Sequence, residues 1–180
     1  MNLPSNWIQC QVQDFADVKG GKRLPKGKAF SGETTNFPYI RVSDFSNGTV
    51  STNDIRYIDQ QTREVIEAYT ISKEDLYVSI AGTIGLVGTI PDELDNANLT
   101  ENAAKVCSIS GVDQVFLSYL LRSKDAQDSF KEKTVSTTQP KLALYKIREL
   151  RLWLPLFRTT ADRCPAGHAA CAGGYPQGPP

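Results

Sequence analysis

The sequence predicts an α+β fold: a mixed, strongly twisted β-sheet core with a few helices, and loops placed on one face. Short runs that alternate apolar and polar residues recur along the chain, as expected for strands with one buried face. These runs outnumber the segments with helical spacing and do not alternate regularly with them, which favours α+β over α/β. With 180 residues and 40% hydrophobic composition, the chain can bury the core of one domain.

The first half of the chain contains short strands and one short helix. Alternation predicts an opening strand from Trp7 to Val12, and a glycine- and lysine-rich loop from Val18 to Lys28 follows it. Phe37 to Val42 has the composition of a second strand. The remaining predictions for this half are a turn at residues 46–48, a third strand around residues 55–57 and a short helix over residues 61–69.

A hairpin between Asp75 and Ile90 is the most informative prediction. Two alternating apolar runs, at residues 76–80 and 86–90, flank a turn that contains Gly82 and Gly85. Together with Gly88 these glycines have the spacing of nucleotide-binding glycines, but neither a following helix nor a P-loop lysine is present. They are therefore interpreted as positions of tight turns and close strand packing.

The second half contains the longest predicted helix. A strand at residues 105–109 precedes Asp113, which has the chemistry of an N-cap for an amphipathic helix from Asp113 to Lys131. The apolar positions that predict this helix are Val115, Phe116, Tyr119, Leu120 and Phe130. A polar Thr/Ser loop, a short helix over residues 143–150 and a last strand over residues 150–154 complete the domain.

The composition changes at about residue 157. We predict one domain over residues 1–156 and, at 157–180, a disordered tail that is out of frame or left by cloning, because Ala, Gly and Pro dominate it without apolar periodicity. Cys164, His168 and Cys171 could hold zinc, but no fourth ligand is in reach and no metal is expected. Cys10 and Cys107 lie in apolar strands and are predicted to be reduced, structural residues.

Charge is distributed unevenly, although the formal net charge is zero. Residues 19–41 contain six basic residues and one acidic residue, residues 42–101 contain three and eleven, and residues 102–151 contain nine and five. Phosphate affinity depends on the local field of a patch, so a basic face from the first and third segments is possible. The alternative is a solvated surface on which the charges interleave after folding.

Seven motifs, in this order and spacing, resemble the target recognition domain of type I restriction-modification specificity subunits. They cover about residues 7–155: Gly20–Gly27, Tyr39–Phe45, Asp75–Gly88, Asn98–Asn102, Tyr119–Ser123, Thr137–Lys141 and Leu152–Pro155. The resemblance implies a non-catalytic, cytoplasmic protein without a cofactor that reads one half of a split double-stranded DNA site. It also implies partners, the methyltransferase and restriction subunits. The segment after Leu154 departs from the family, whose long spacer helix is not visible here, so assembly with those partners is in doubt.

Two polar loops supply the candidate DNA contacts. Lys22, Arg23, Lys26 and Lys28 have the chemistry of a phosphate clamp, with ordinary solvated lysines as the alternative. In the second loop Gln139 can read adenine, Thr137 and Thr138 can meet phosphate or a thymine methyl, and Lys141 can meet phosphate or guanine. A helix-capping turn is the alternative for this loop.

Other polar residues have structural alternatives. Arg41 can contact DNA or form a local ion pair with Asp44. Asn98, Glu101 and Asn102 resemble catalytic residues, but without a histidine or a metal site beside them they are assigned to structural hydrogen bonds of a loop.

Three functions compete at this stage. An enzyme lacks a nucleophile–base pair, since the single histidine lies in the tail. A protein-interaction module that docks a methyltransferase would use the helix from Asp113 to Lys131 and an exposed Trp153. We expect sequence-specific DNA recognition, whose affinity falls steeply with salt, whereas that of apolar docking does not. No apolar run is long enough to span a membrane, and a soluble protein is expected.

Overall fold

The computed structural model describes residues 6–132 and 140–155. The strands in these residues are β1 (Trp7–Gln11), β2 (Asp17–Gly20), β3 (Pro38–Ile40), β4 (Phe45–Ser46), β5 (Thr49–Val50), β6 (Arg56–Tyr57), β7 (Thr70–Ile71), β8 (Leu76–Ser79), β9 (Val87–Thr89), β10 (Ala97–Leu99), β11 (Ala103–Cys107) and β12 (Arg151–Pro155). The helices are α1 (Gln60–Val65), α2 (Gln114–Arg122), α3 (Lys124–Glu132) and α4 (Leu144–Arg148). The predicted division into residues 1–156 and a tail lies partly outside the described residues.

Two four-stranded sheets form the centre of the domain. The first has the order β2-β11-β8-β9 and is antiparallel throughout. The second has the order β6-β3-β10-β7 and is mixed, because β3 and β10 run parallel. The ribbon of β1 and β12 pairs the two ends of the domain, and β4 and β5 form a small hairpin. The α+β class and the predicted hairpin of β8 and β9 are confirmed.

Strand β8 is buried on both faces and separates the two main clusters of the core. Leu76 and Val78 face the cluster that includes α2, α3 and α4, whereas Tyr77 faces the cluster formed with the second sheet. The hydroxyl of Tyr77 donates to the Thr49 carbonyl over 2.8 Å, and its ring stacks on Phe45 with centroids 3.7 Å apart. Burial raises the pKa of Tyr77 to about 12, so this hydroxyl keeps its proton at neutral pH.

The single helix predicted from Asp113 to Lys131 is wrong, because Ser123 separates α2 from α3. At 100° per residue, Ala126 and Phe130 would lie about half a turn away from Leu117 and Leu121 on one continuous helix. The extended backbone of Ser123 (ψ 155°) changes the direction of the chain between α2 and α3. As a result, all four side chains lie in the same cluster. The predicted apolar face was wrong at Val115 and Tyr119, which are exposed, whereas Phe130 is buried in the cluster and Leu120 packs against it. The predicted N-cap is confirmed: the Asp113 carboxylate accepts from the Phe116 amide over 2.8 Å.

Two other boundaries differ from the prediction for tertiary reasons. Residues 18–20, assigned to the Gly/Lys loop, form part of β2 because β11 pairs with them. Asn98 lies in β10, one of the two inner strands of the second sheet, and not in a loop. Its buried amide donates to the Ile66 carbonyl over 2.9 Å and accepts from Arg63 over 2.9 Å, so the predicted structural hydrogen bonding is confirmed.

The two cysteines in the described residues occupy strands, as predicted. Cys107 is buried in β11, where burial raises the pKa of its thiol, and Cys10 is half-buried in β1. A buried thiol with a raised pKa is a weak nucleophile, which fits the expected structural role of Cys107.

Candidate nucleic-acid interface

Several strand ends meet at one edge of the domain. Gly20 at the end of β2 pairs with Ala104, and Ser79 at the end of β8 pairs with Ala103 at the start of β11. The end of β10, at Leu99, approaches the same edge through a backbone hydrogen bond with Lys22. We call this edge the groove end of the first sheet. The segment Gly20–Lys28 begins there.

The first residues of this segment are held to the sheets by their backbone. The Gly21 amide donates to the Ala103 carbonyl over 3.0 Å, and the Lys22 amide donates to the Leu99 carbonyl over 2.8 Å. The carbonyl of Lys22 accepts from the Tyr39 hydroxyl over 2.7 Å. The backbone that leads into Arg23 is therefore fixed by hydrogen bonds to both sheets.

Gly21 is required at its position by close packing. A Cβ atom built on it would collide with the backbone carbonyl oxygens of Leu99 and Thr100. Only glycine lets the two backbones approach so closely. Gly27, at the far side of the loop, has a φ of 82° and marks a turn in the left-handed region.

The four cations of the segment differ in their availability. Lys22, Arg23 and Lys26 are exposed, and the ammonium of Lys22 lies 5.5 Å from the centroid of the Tyr69 ring. The ammonium of Lys28 donates to Gln61 Oε1 over 3.0 Å and lies 3.6 Å from Asp59 Oδ2, so it is tied to the start of α1. Three of the four predicted contacts are therefore presented to solvent.

Arg23 is paired with Glu101 across the groove end. Its Nε donates to Glu101 Oε1 over 2.8 Å, while Glu101 Oε2 accepts from the hydroxyl of buried Thr100 over 3.0 Å. Burial acts to raise the pKa of the Glu101 carboxyl, but hydrogen bonds from Arg23 and Thr100 outweigh it, and the pKa is lowered. Hydrogen bonding to Glu101 raises the pKa of Arg23. Both groups are charged at neutral pH.

Lys141 lines the same groove as this pair. Ala81 bridges to Lys141, and the Leu142 amide donates to the Ile80 carbonyl over 2.8 Å. The groove has a volume of about 640 Å³. It is lined by Gly20, Gly21, Lys22, Arg23, Ile80, Glu101 and residues 141–144. The predicted contacts Thr137, Thr138 and Gln139 lie outside the described residues, two to four positions before Lys141 in the chain.

Arg41 is engaged within the domain. Its Nη2 donates to Asp44 Oδ1 over 2.6 Å and to the Asp54 carbonyl over 2.7 Å, and its Nε donates to Asp44 Oδ2 over 3.1 Å. The hydrogen bond to Asp44 raises the pKa of Arg41. The predicted ion pair with Asp44 is present, and a contact between Arg41 and DNA stays a prediction.

The glycines of the β8–β9 hairpin have the predicted structural roles. Gly82 and Gly85 have φ values of 72° and 89°, which favour glycine in the turn. A Cβ on Gly88 would collide with the backbone of Gly48, which marks close packing of the hairpin against β4 and β5. The exposed turn at Gly82 and Thr83 lies beside the groove, because Ala81 bridges to Lys141. No local pattern in the sequence indicates this position.

The described residues contain neither a metal-binding cluster nor a membrane-spanning helix. No group of three or more His, Cys, Asp or Glu residues there is arranged to hold a metal ion. Cys164, His168 and Cys171 lie outside that part of the chain. Within residues 6–132 and 140–155, no helix has the length and apolar character needed to cross a membrane.

Comparison with known proteins gives consistent similarities. The family model described as "Type I restriction modification DNA specificity domain" matches residues 4–159. The chain is 24% identical over 106 residues to the type I restriction enzyme EcoBI specificity subunit of Escherichia coli. The aligned residues cover 58% of this chain and 22% of the relative. The chain thus spans about a fifth of the length of that curated relative.

Two solved structures share the fold. The type I restriction-modification S subunit from M. genitalium is 17% identical, with a TM-score of 0.55, over 86% of this chain and 36% of that one. The HsdS subunit from Thermoanaerobacter tengcongensis is 16% identical, with a TM-score of 0.60, over 86% and 34%. Since the family model covers most of the chain, this protein belongs to the type I restriction-modification DNA specificity domain family.

Proposed function

We propose that this domain binds double-stranded DNA at its groove end and reads one half of a bipartite target, as the recognition part of a type I restriction-modification specificity subunit. The observation that carries the proposal is the placement of Lys22, Arg23 and Lys141 on one groove. These residues come from two segments more than a hundred positions apart in the chain. The fold gathers these cations, together with Glu101, at a concave surface, where Lys22 and Lys141 can neutralise duplex phosphates.

The exposed lysines supply affinity in this proposal. Lys22 and Lys26 contact phosphate oxygens, which positions the duplex without reading its sequence. Lys141, which lines the same groove, contacts phosphate or guanine. Lys28 contributes less, because its ammonium already has two partners at the start of α1.

Gln139 is proposed to read adenine, with Thr137 and Thr138 beside it at phosphate or a thymine methyl. The support is chemical: a Gln amide matches the donor and acceptor of the adenine edge, and a good bidentate contact discriminates by about 1–3 kcal/mol. Gln139→Ala should relax preference at one base position and leave non-specific binding unchanged. Uniform weakening together with a lower thermal midpoint would instead assign Gln139 to a structural turn.

The proposed role is non-catalytic, needs no cofactor and belongs in the cytoplasm. The family description supports it, because it names a DNA specificity domain. In a full-length specificity subunit, the partners would be the methyltransferase and restriction subunits. This chain spans 22% of its curated relative, so those contacts are proposed only for a longer protein that contains this domain.

A protein-docking module is the alternative, and one observation favours it. Val115 and Tyr119, four residues apart on α2, are exposed, as is Trp153 on β12. Affinity of the chain for duplex DNA, measured at several salt concentrations, separates the two functions. DNA binding predicts a steep linear fall of log affinity with log salt, and about 0.9 units of slope per neutralised phosphate. Absence of duplex binding even at low salt would contradict the proposed function.

A further inference from the structure

Arg23 differs from Lys22 and Lys26, because its orientation is set by a hydrogen-bonded acidic partner. Its side chain is 78% exposed, whereas that of Glu101 is 25% exposed. Glu101 is fixed in turn by the Thr100 hydroxyl, and Thr100 is buried with its amide donating to the Ile40 carbonyl over 3.1 Å. The guanidinium is therefore positioned by two residues, Glu101 and Thr100, that connect it to the sheet.

The pairing leaves the outer end of the guanidinium available. Of the three guanidinium nitrogens only Nε donates to Glu101, and neither Nη1 nor Nη2 donates to any residue in the part of the chain that the structure describes. These two nitrogens form the terminal fork of the side chain, which presents two parallel N–H donors. A fixed fork suits a directional, bidentate contact.

A phosphate is a poor partner for this pair. The charge of Glu101 offsets that of Arg23, so the pair adds little local field, and the carboxylate oxygens repel phosphate oxygens. Lys22 and Lys26 have no such neighbouring carboxylate among their described contacts and carry mobile point charges. The groove end therefore contains two kinds of cation.

We infer that Arg23, positioned by Glu101, reads a guanine in the major groove through its two terminal nitrogens. Guanine is the base that offers two acceptors there, O6 and N7, whereas adenine and cytosine each present an amino donor to the fork. Arg23 is then a specificity residue, and Glu101 is a positioning residue that never touches DNA. This inference rests on the proposed function and adds the base and the residue that reads it.

Selection from randomised duplexes with the full chain tests the inference. The wild-type chain should require guanine at one position, and Arg23→Ala should lower discrimination there by about 5- to 150-fold, the range of one bidentate contact. Lys26→Ala is the matched control, since it removes a cation from the same segment. It should weaken binding to all duplexes and keep the guanine preference.

Glu101 variants separate positioning from stability. Glu101→Ala should lose the guanine preference while affinity for unrelated duplexes stays equal or rises, because a negative charge is removed. Glu101→Gln keeps an oxygen that accepts from Nε, so it should restore the preference. A preference that survives Glu101→Ala, or a loss that Glu101→Gln does not rescue, would overturn the positioning role.

Replacing the selected guanine by 7-deazaguanine removes the N7 acceptor and isolates the contact. Wild-type affinity should fall, and affinity of the Arg23→Ala variant should not change further. A wild-type chain that selects no sequence would overturn the proposed function and this inference together. A wild-type chain that selects a site, but whose Arg23→Ala variant retains every preference, would overturn the assignment of Arg23 alone.

Discussion

Arg23 and Arg41 pair with acidic residues in two regions of the domain, yet they are available to a ligand to very different degrees. The Arg23 side chain is 78% exposed and is held by one hydrogen bond. The Arg41 side chain is 25% exposed and contacts Asp44, whose side chain is 4% exposed, and Asp54. The two arginines carry the same charge and differ in the number of donors that are already occupied, so Arg23 is the more available of the two to a ligand.

The backbones of the two regions differ in the same way. Arg41 starts a 3-10 turn, and Asp44 closes that turn by accepting from the Arg41 amide over 2.7 Å. Around Gly21 and Lys22 the backbone, and not the side chains, makes the fixing hydrogen bonds. One region uses its cation to complete the fold, and the other leaves its cations at the surface.

Arg41→Ala should have the largest effect on stability. Removal of the guanidinium leaves the buried carboxylate of Asp44 without its charged partner, which should lower the free energy of unfolding by about 3 kcal/mol. Urea denaturation measures this free energy. The control is Arg23→Ala, which should change the free energy of unfolding by less than about 0.5 kcal/mol. If Arg41→Ala is stable but binds DNA weakly, Arg41 belongs to the interface.

Gly21→Ala should have the next largest effect on stability. The added methyl group collides with the carbonyl oxygens of Leu99 and Thr100, so the segment must move away from the sheet end, at a cost of about 2 kcal/mol. Affinity for DNA should fall with stability. Gly32→Ala is the control, because nothing lies within 4 Å of its Cβ position. Equal stability of the two variants would show that Gly21 is not constrained.

Tyr39→Phe should have a smaller effect of about 1 kcal/mol. It removes the hydroxyl that donates to the Lys22 carbonyl. The expected loss is the typical net contribution of one hydrogen bond to the free energy of unfolding. The midpoint temperature of thermal unfolding and the discrimination between duplex sequences should both decrease slightly, since the backbone before Arg23 loses one hydrogen bond. Tyr145→Phe, on an exposed tyrosine, should change neither quantity.

Lys26→Ala should leave stability unchanged. Its side chain is exposed on the loop, so the expected result is only a weaker affinity for every duplex, in the same proportion. Equilibrium binding to matched and unmatched duplexes measures it. A change in sequence preference would show that Lys26 contacts a base.

Sequence patterns predicted the features that depend on near neighbours. The hairpin of β8 and β9 follows from period-two alternation and turn glycines, and the N-cap at Asp113 depends on a residue three positions away. The break at Ser123 was missed because only the shared core requires it.

The candidate site was predictable in part, for a similar reason. The exposed cations of the segment Gly20–Lys28 could be identified from composition alone. The contact of Arg23 with Glu101 joins residues 78 positions apart, and the occupation of Arg41 requires Asp54 as well as its neighbour Asp44. Which cation remains available is decided by folding, and local spacing does not contain that information.

We propose that the groove end binds DNA through the exposed lysines of the segment Gly20–Lys28. The most direct test is the salt dependence of duplex affinity for the wild-type chain, the Lys22→Ala/Lys26→Ala variant and Lys73→Ala. Lys73 lies before the opposite end of β8 and pairs with Asp92 over 3.1 Å. We predict that the double variant flattens the slope of log affinity against log salt by about two units and that Lys73→Ala leaves it unchanged. An unchanged slope in a folded double variant would contradict the account.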